Sequence, residues 1–426
     1  VRPLAPALLF LVVVLDPRTG TPLVPDAFQP PADDSLRVLL YSHDSYGLGH
    51  LRRCSTLAAA LVRHVPDASV LIATGSPCAT HFALPAGVEV VKLPSVTKDG
   101  SGRYVPRTLP GSVDFTLHLR RSLLSELFAA YSPHLLLVDH QVTGLHGELL
   151  PVLEQARRSG TRTVLGLRDI IDEPAAVARD WDRPDVRRAL SELYDRVCVY
   201  GSPTVFDTRR EYPVPPELSE RITFLGYVVR DAPPRVVRPL PAERPQVLVT
   251  VGGGEDGGGR LQTYLDCLTL APAPWDSVLV LGPLLDPAAG RHLKRQARLL
   301  DGVTVHGFHS DLPRLLAESQ AVVSMAGYNS TTEILQSGVS AVLLPRTFPR
   351  GEQFLRASRL AELGLLQCLP APDARSLRAA VESALSAPGG TRAARGLVPL
   401  DGDRRLCELA AGILGRPLRQ AVAAAS

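Results

Sequence analysis

The stretch Val322–Gln353, VVSMAGYNSTTEILQSGVSAVLLPRTFPRGEQ, decides the fold. Val322–Met325 is a short apolar run of the kind that forms a buried parallel strand. Ala326-Gly327-Tyr328-Asn329 makes a small-residue turn, and the pattern predicts a helix from Ser330 to just before Gly338. A second apolar strand, Ala341–Leu344, stops at Pro345, and a loop delivers Glu352-Gln353 to the start of another helix. This is a β-α-β unit whose turn offers free N–H groups and a helix N-terminus to an anion. Ser330-Thr331-Thr332-Glu333 has the spacing of a capping box, in which Glu333 bonds back to the helix start. The competing reading sends Glu333 into a cleft to accept hydrogen bonds from a sugar hydroxyl pair.

Outward from this unit the same alternation repeats in both directions. Leu36–Tyr41 reads as the first buried strand, followed by a turn ending Gly47-Leu48-Gly49-His50 and a helix with Leu51, Cys54, Leu57, Ala58, Leu61 and Val62 on one face. Strands are expected near 70–73, 88–93, 135–138, 163–167, 197–200 and 223–225, with a helix over 113–131 and Pro94–Gly111 as a long loop. The pattern restarts at Gln246–Val251, which runs into Gly252–Gly259, and further strands are expected near 277–281, 303–306, 321–325 and 341–344. Leu406–Leu414 reads as a terminal helix. Arg230–Pro245 is dense in proline and aperiodic, so it separates the two series as a linker. The expected organisation is an extension over 1–35, a first Rossmann-like half over 36–229, a linker over 230–245, a second half over 246–415, and a tail over 416–426. The fold class is α/β, two doubly wound Rossmann-like domains facing a central cleft.

With 426 residues and 45% hydrophobic content, there is material for two cores. A net charge of +3 on 46 basic and 43 acidic residues gives no general field for nucleic acid. Six cysteines without a Cys-x-x-Cys pair point to a reducing compartment and away from structural zinc. Ala7–Leu15 is apolar but shorter than the roughly 20 residues that span a bilayer; it reads as a disordered or signal-like extension, or a membrane-surface anchor. The expected location is cytoplasmic, peripheral at the inner membrane face if the acceptor is lipid-linked.

Gly47-x-Gly49-His50 is not a dinucleotide fingerprint, because Arg52 stands where the third glycine is needed. It presents His50 at a helix N-terminus, which favours the neutral imidazole a general base requires; packing or capping is the plainer alternative. Asp139, at a strand end, could orient that imidazole or cap the next helix. Arg168 also ends a strand, where it could meet a phosphate or acceptor anion, or form an ion pair. Gly252-Gly253-Gly254 could cradle a pyrophosphate, although a flexible turn explains it equally, and no Walker lysine follows. No metal and no cofactor beyond a co-substrate is expected.

Gly49-His50, Gly252-Gly253-Gly254, His306-Gly307-Phe308 and Gly327…Ser330-Thr331-Thr332-Glu333 followed by Glu352-Gln353 together resemble the two-domain nucleotide-sugar glycosyltransferases of GT-B type. Within them the layout is similar to the family of the N-acetylglucosaminyltransferase of peptidoglycan synthesis, from about Leu36 to Leu414 and most specifically over Val303–Leu363. The resemblance implies that Glu333 holds the donor ribose, Gln353 with Glu352 the sugar hydroxyls, N–H groups at Asn329, Ser330 and Thr331 the diphosphate, and the backbone near Phe308 the base. It implies an inverting hexosyltransferase with His50 as base, a UDP-sugar donor and an acceptor, lipid-linked or glycan, that the residues do not identify. Gly254 departs from that pattern, where a hydroxyl-bearing residue is common. Gly49-His50-x-x-Arg53-Cys54-x-Thr56-Leu57-Ala58 is also similar to the UDP-sugar hydrolase of pseudaminic acid synthesis, in which water replaces the acceptor. Gly49, Arg53 and Arg168 are accordingly placed on the acceptor side.

Overall fold

The computed structural model describes residues 35–43, 49–79, 84–99, 103–230, 244–254, 256–309, 311–386 and 396–419. The expected extension before Ser35, linker residues 231–243, Asp44–Leu48 of the first glycine turn, Glu255 and the end of the tail lie outside the described residues.

The strands of the first half are β1 (Leu36–Ser42), β2 (Ala68–Thr74), β3 (Val88–Lys92), β4 (Val96–Lys98), β5 (Tyr104–Pro106), β6 (Leu135–Asp139), β7 (Arg162–Arg168), β8 (Arg196–Tyr200) and β9 (Ile222–Phe224). Its helices are α1 (Gly49–His64), α2 (Val113–Tyr131), α3 (Leu150–Ser159), α4 (Pro174–Trp181), α5 (Pro184–Arg188), α6 (Thr208–Glu211) and α7 (Pro216–Ser219). Seven strands form one parallel sheet in the order β3-β2-β1-β6-β7-β8-β9. The strands of the second half are β10 (Gln246–Thr250), β11 (Asp276–Val280), β12 (Val303–His306), β13 (Ala321–Ser324), β14 (Ser340–Leu343) and β15 (Gln367–Cys368). Its helices are α8 (Gly258–Thr269), α9 (Pro287–Ala297), α10 (Leu312–Glu318), α11 (Tyr328–Ser337), α12 (Glu352–Glu362) and α13 (Ala374–Ser386), with α14 (Gly402–Leu414) closing the chain's regular structure. Here six strands form a parallel sheet in the order β12-β11-β10-β13-β14-β15.

Each sheet reverses its winding once, between β1 and β6 in the first half and between β10 and β13 in the second. The registers Ser42↔Asp139 and Thr250↔Ser324 bring the strand ends level at both reversals. Loops at such points diverge and leave a crevice at the carboxyl ends of the strands. The turns carrying His50, Asp139, Gly252–Gly254 and Gly327 all lie at these two points.

Burial follows the periodicity. Helix α1 buries Leu51, Cys54, Leu57, Ala58 and Leu61, spaced three or four apart, against β1 and β2; each leucine contributes about 1.5–3 kcal/mol. Helix α2 begins at Ser112, whose hydroxyl accepts from the Phe115 N–H at 3.1 Å, and ends in left-handed Ser132. The segment read as a long loop differs from expectation: Val96–Lys98 and Tyr104–Pro106 pair as an antiparallel hairpin. Its root is held by Arg120, which donates to the Pro94 carbonyl at 2.7 Å and forks onto Glu148, itself bonded by Tyr41.

The terminal helix belongs to the first half by its packing. Leu406, Cys407 and Ala410 of α14 enter the same apolar cluster as Leu57 and Leu61 of α1. The segment leading to α14 hydrogen-bonds the segment leaving the first sheet: Tyr227 N–H donates to Pro399 O at 2.8 Å, and Gly402 N–H to Tyr227 O at 3.0 Å. The two chain crossings between halves therefore run side by side. A C-terminal boundary at 415 follows the sequence pattern, whereas the packed unit of the second half stops with α13.

Candidate active site

His50 is the second residue of α1, and its Nδ1 lies 2.6 Å from Asp139 Oδ2 at the end of β6. Asp139 is fully buried, and Arg53, one turn along α1, forks onto it with bonds of 2.9 and 2.7 Å. Burial works to raise the Asp139 pKa, but the Arg53 charge and the His50 bond outweigh it and hold the carboxyl below its ordinary value. An ionised carboxylate only accepts, so the proton of neutral His50 sits on Nδ1 and the lone pair on Nε2. Burial lowers the His50 pKa to about 4, against the pull of Asp139. The imidazole is thus a neutral base at physiological pH. Asp139 orients it; the helix-cap alternative is not what the residue does here.

Two further imidazoles surround His50, at centroid distances of 6.0 Å for His43 and 5.0 Å for His140. Burial drives both well below the ordinary histidine pKa. His140 is left-handed, φ 70°, an uncommon conformation for a non-glycine residue. Arg168, at the end of β7, places its Nη2 3.3 Å from His140 Nε2.

Across the crevice, α11 begins two residues earlier than the sequence pattern suggested. Gly327 is its N-cap and Tyr328 its first residue, with no side-chain cap. The Ser-Thr-Thr-Glu capping box is therefore not formed: Ser330 lies inside the first turn, and Glu333 is beyond reach of the helix start. The earlier start also corrects the donor N–H groups. Thr331 N–H is spent on Gly327 O at 2.9 Å, so the open first turn consists of Tyr328, Asn329 and Ser330. A Cβ built on Gly327 meets nothing within 4 Å, so the space in front of this helix end is free.

Glu333, 4% exposed, is instead ion-paired to Arg52 of α1 and to Arg230, whose Nε donates at 3.0 Å. Asn329 Nδ2 donates to Gly49 O at 2.9 Å, joining the N-terminal turns of α1 and α11. Tyr328 lies between the guanidinium groups of Arg53 and Arg356, 5.1 and 5.8 Å from its ring centroid, and accepts from Val228 N–H. Arg356 of α12 forks onto Asp169 of the first half at 2.8 and 2.6 Å with both side chains buried. Glu352 pairs with Arg346 at 2.6 Å, and Gln353 Oε1 accepts from Arg346 N–H at 3.1 Å, so these two hold the Pro345–Gly351 loop. Phe308 is 60% exposed.

The glycine turn after β10 has a packing reason. Gly254, at φ 92°, would bring a Cβ within 2.4 Å of Leu281 O, and Gly282 opposite would bring one within 2.5 Å of Gly252 O. A hydroxyl-bearing side chain cannot stand at 254 because two backbone turns touch there. Gly252 faces α11, 3.8 Å from Ser330 Oγ by its Cβ direction. Gly254→Ala is expected to cost about 1–3 kcal/mol from backbone strain alone, measurable as a lowered thermal midpoint.

The sequence placed His50 at a helix N-terminus and Asp139 and Arg168 at strand ends, with Arg53 added by the resemblance, and the structure brings the four into one neighbourhood. It missed Arg52, Arg230 and Arg356, whose partners are distant in sequence, and gave His140 no role although it adjoins Asp139. Among the described residues no group of His, Cys, Asp and Glu could hold a metal ion, and no helix is long and apolar enough to cross a membrane. A groove of about 700 Å³ lies at the opposite strand ends, lined by Phe128, His134, Arg158 and Leu414 among others; it contains none of the base and carboxylate chemistry described above.

No protein-family model matches the chain. Over 182 residues it is 29% identical to the UDP-N-acetylglucosamine–N-acetylmuramyl-(pentapeptide) pyrophosphoryl-undecaprenol N-acetylglucosamine transferase of Rhodopseudomonas palustris (strain BisB18), covering 41% of this chain and 48% of that protein. The chain thus spans about half the length of the curated relative it matches. CalG4, the calicheamicin glycosyltransferase, superposes with a TM-score of 0.60 at 19% identity, over 90% of this chain and 99% of that one. MurG of Acinetobacter baumannii superposes with a TM-score of 0.57 at 14% identity, over 88% and 98%. Two parallel α/β sheets, with this measure of likeness, give the chain the GT-B fold, and part of it resembles the N-acetylglucosamine transferase of Rhodopseudomonas palustris.

Proposed function

We propose that the protein is an inverting, metal-independent glycosyltransferase that moves a hexose or N-acetylhexosamine from a nucleoside diphosphate sugar, UDP-linked, to an acceptor hydroxyl. The observation that carries this reading is the 2.9 Å bond from Asn329 to Gly49. It sets a buried, Asp139-oriented base and an open helix N-terminus within one turn of each other, on opposite walls of one crevice. An acceptor hydroxyl at His50 Nε2 gives up its proton to the imidazole as its oxygen attacks the anomeric carbon. The sugar–diphosphate bond breaks on the far side, and the configuration inverts. The charge released onto the diphosphate meets the N–H groups of Tyr328, Asn329 and Ser330 and the helix dipole. Imidazolium formed at His50 is stabilised by Asp139, as in base–orienter pairs.

In this reading Glu333 binds the donor ribose, Glu352 and Gln353 the sugar, Phe308 the base and Gly252–Gly254 the approach to the diphosphate. The ribose then takes the carboxylate that pairs with Arg52 and Arg230. Glu333→Gln is expected to weaken UDP binding more than about tenfold, the loss of a charge-assisted pair of hydrogen bonds, read by calorimetry. Unchanged affinity with a lowered thermal midpoint would return Glu333 to a structural ion pair. Incubating the protein with UDP-sugars and no acceptor tests the transfer: slow leakage fits it, whereas rapid stoichiometric release of free sugar identifies water as the acceptor.

A further inference from the structure

Most arginines around the crevice have a carboxylate: Arg53 has Asp139, Arg356 has Asp169, Arg346 has Glu352, and Arg52 shares Glu333. Among the described residues Arg168 has none. There its guanidinium touches only the His140 ring nitrogen at 3.3 Å and the Ile171 carbonyl at 3.5 Å, and its Nε has no partner. Because His140 Nε2 accepts from Arg168, the His140 proton sits on Nδ1, which also has no partner although His140 is 4% exposed. Among the described residues, one patch beside the base therefore holds two N–H donors without an acceptor, and one cation whose opposing charge, Glu352, is already paired with Arg346.

A desolvated donor left unpaired is costly, more so where the group is charged, so such a patch suits a ligand that supplies acceptors. Burial lowers the Arg168 pKa to about 10, with the charge of Glu352 opposing from longer range and Arg356, Arg53 and Arg350 adding to the fall. The Arg168 guanidinium and the two N–H donors suit an anion. The patch adjoins His50, whose ring lies 5.0 Å from that of His140, and Arg168 feels the charge of Glu352; these are the two residues to which the reacting sugars are assigned above.

We propose that Arg168 and His140 form a subsite for an anionic group, carboxylate or phosphate, carried by one of the two sugars that meet at His50. This rests on the transferase reading of the crevice. The anion comes either from the donor, as a uronic acid, or from the acceptor, as a sugar acid or sugar phosphate. In both cases it lies in the plane of the Arg168 fork, with His140 Nδ1–H as a further donor.

Calorimetric titration of the whole chain and of Arg168→Gln separates these cases. UDP-glucuronic acid is compared with UDP-glucose, and, with UDP present, glucose 6-phosphate and glucuronate are compared with glucose. The expected result is that a charged probe binds the unaltered protein at least about tenfold tighter than its neutral counterpart, the scale of one charge-assisted pair. Arg168→Gln should abolish that preference while UDP affinity stays within about twofold, which also shows that the variant is folded. A preference in the first comparison assigns the anion to the donor, and in the second to the acceptor. No charge preference in either, or one that survives Arg168→Gln, overturns the subsite. Loss of UDP binding by the unaltered protein would overturn the donor reading instead, and the free-sugar comparison would still read Arg168.

Discussion

Replacing His50 with alanine lowers turnover by on the order of 10²–10⁴, the contribution of a positioned general base, while UDP affinity is retained. The pH dependence carries the sharper signature. An unperturbed histidine would lose its basic form as pH falls through about 6.5. Burial holds His50 near 4, outweighing Asp139, so the base stays neutral through the physiological range. The rate should remain level as pH is lowered from 8 to about 5 and fall only below that, as the imidazole protonates. A profile with its acid limb between 6 and 7 would show that the essential group is not this histidine. Near-full turnover of His50→Ala with an identified acceptor would remove it from the mechanism altogether.

Replacing Arg356 with alanine should destabilise the folded chain by about 3–5 kcal/mol, the cost of leaving one member of a buried ion pair behind. Asp169 is 1% exposed by side chain and receives both prongs of the Arg356 fork, which also donates to Ala326 O. Burial acts to lower the Arg356 pKa, but the charge and hydrogen bond of Asp169, together with Tyr227 and Glu352, raise it on balance. The double change Arg356→Met with Asp169→Asn removes both charges and should recover much of the loss. Thermal melts of the single and double variants give the coupling directly. A single variant that melts with the unaltered protein would mean the two halves are held by other contacts.

The sheets were legible because parallel strands buried on both faces read as continuous apolar runs. Leu36–Tyr41, Leu135–Val138 and Val322–Met325 need no context to be recognised. Short helices such as α5, α6 and α7 were not legible: four or five residues cannot display a period, and each depends on tertiary packing. The start of α11 was misread because a Ser-x-x-Glu spacing matched a cap while Gly327 supplied the actual one. In the site, what lay at strand ends could be placed from sequence, since winding order forces those ends together. What could not be placed were partners such as Arg52 with Glu333 and Arg356 with Asp169, which are 281 and 187 residues apart. Side-chain charge reveals the need for a partner and not its address.

The paired crossing at Tyr227 and Pro399–Gly402 limits how the molecule can breathe. A single linker lets two bodies swivel about any axis. Two stretches of chain bonded to each other at Tyr227, Pro399 and Gly402 tie the start of one crossing to the end of the other at a single point. A rotation about that point is expected to draw Gly49 and Asn329 apart and return them to the same contact. Substrates of different lengths would change how far the crevice stands open, while the alignment of base and leaving group on closure stays fixed.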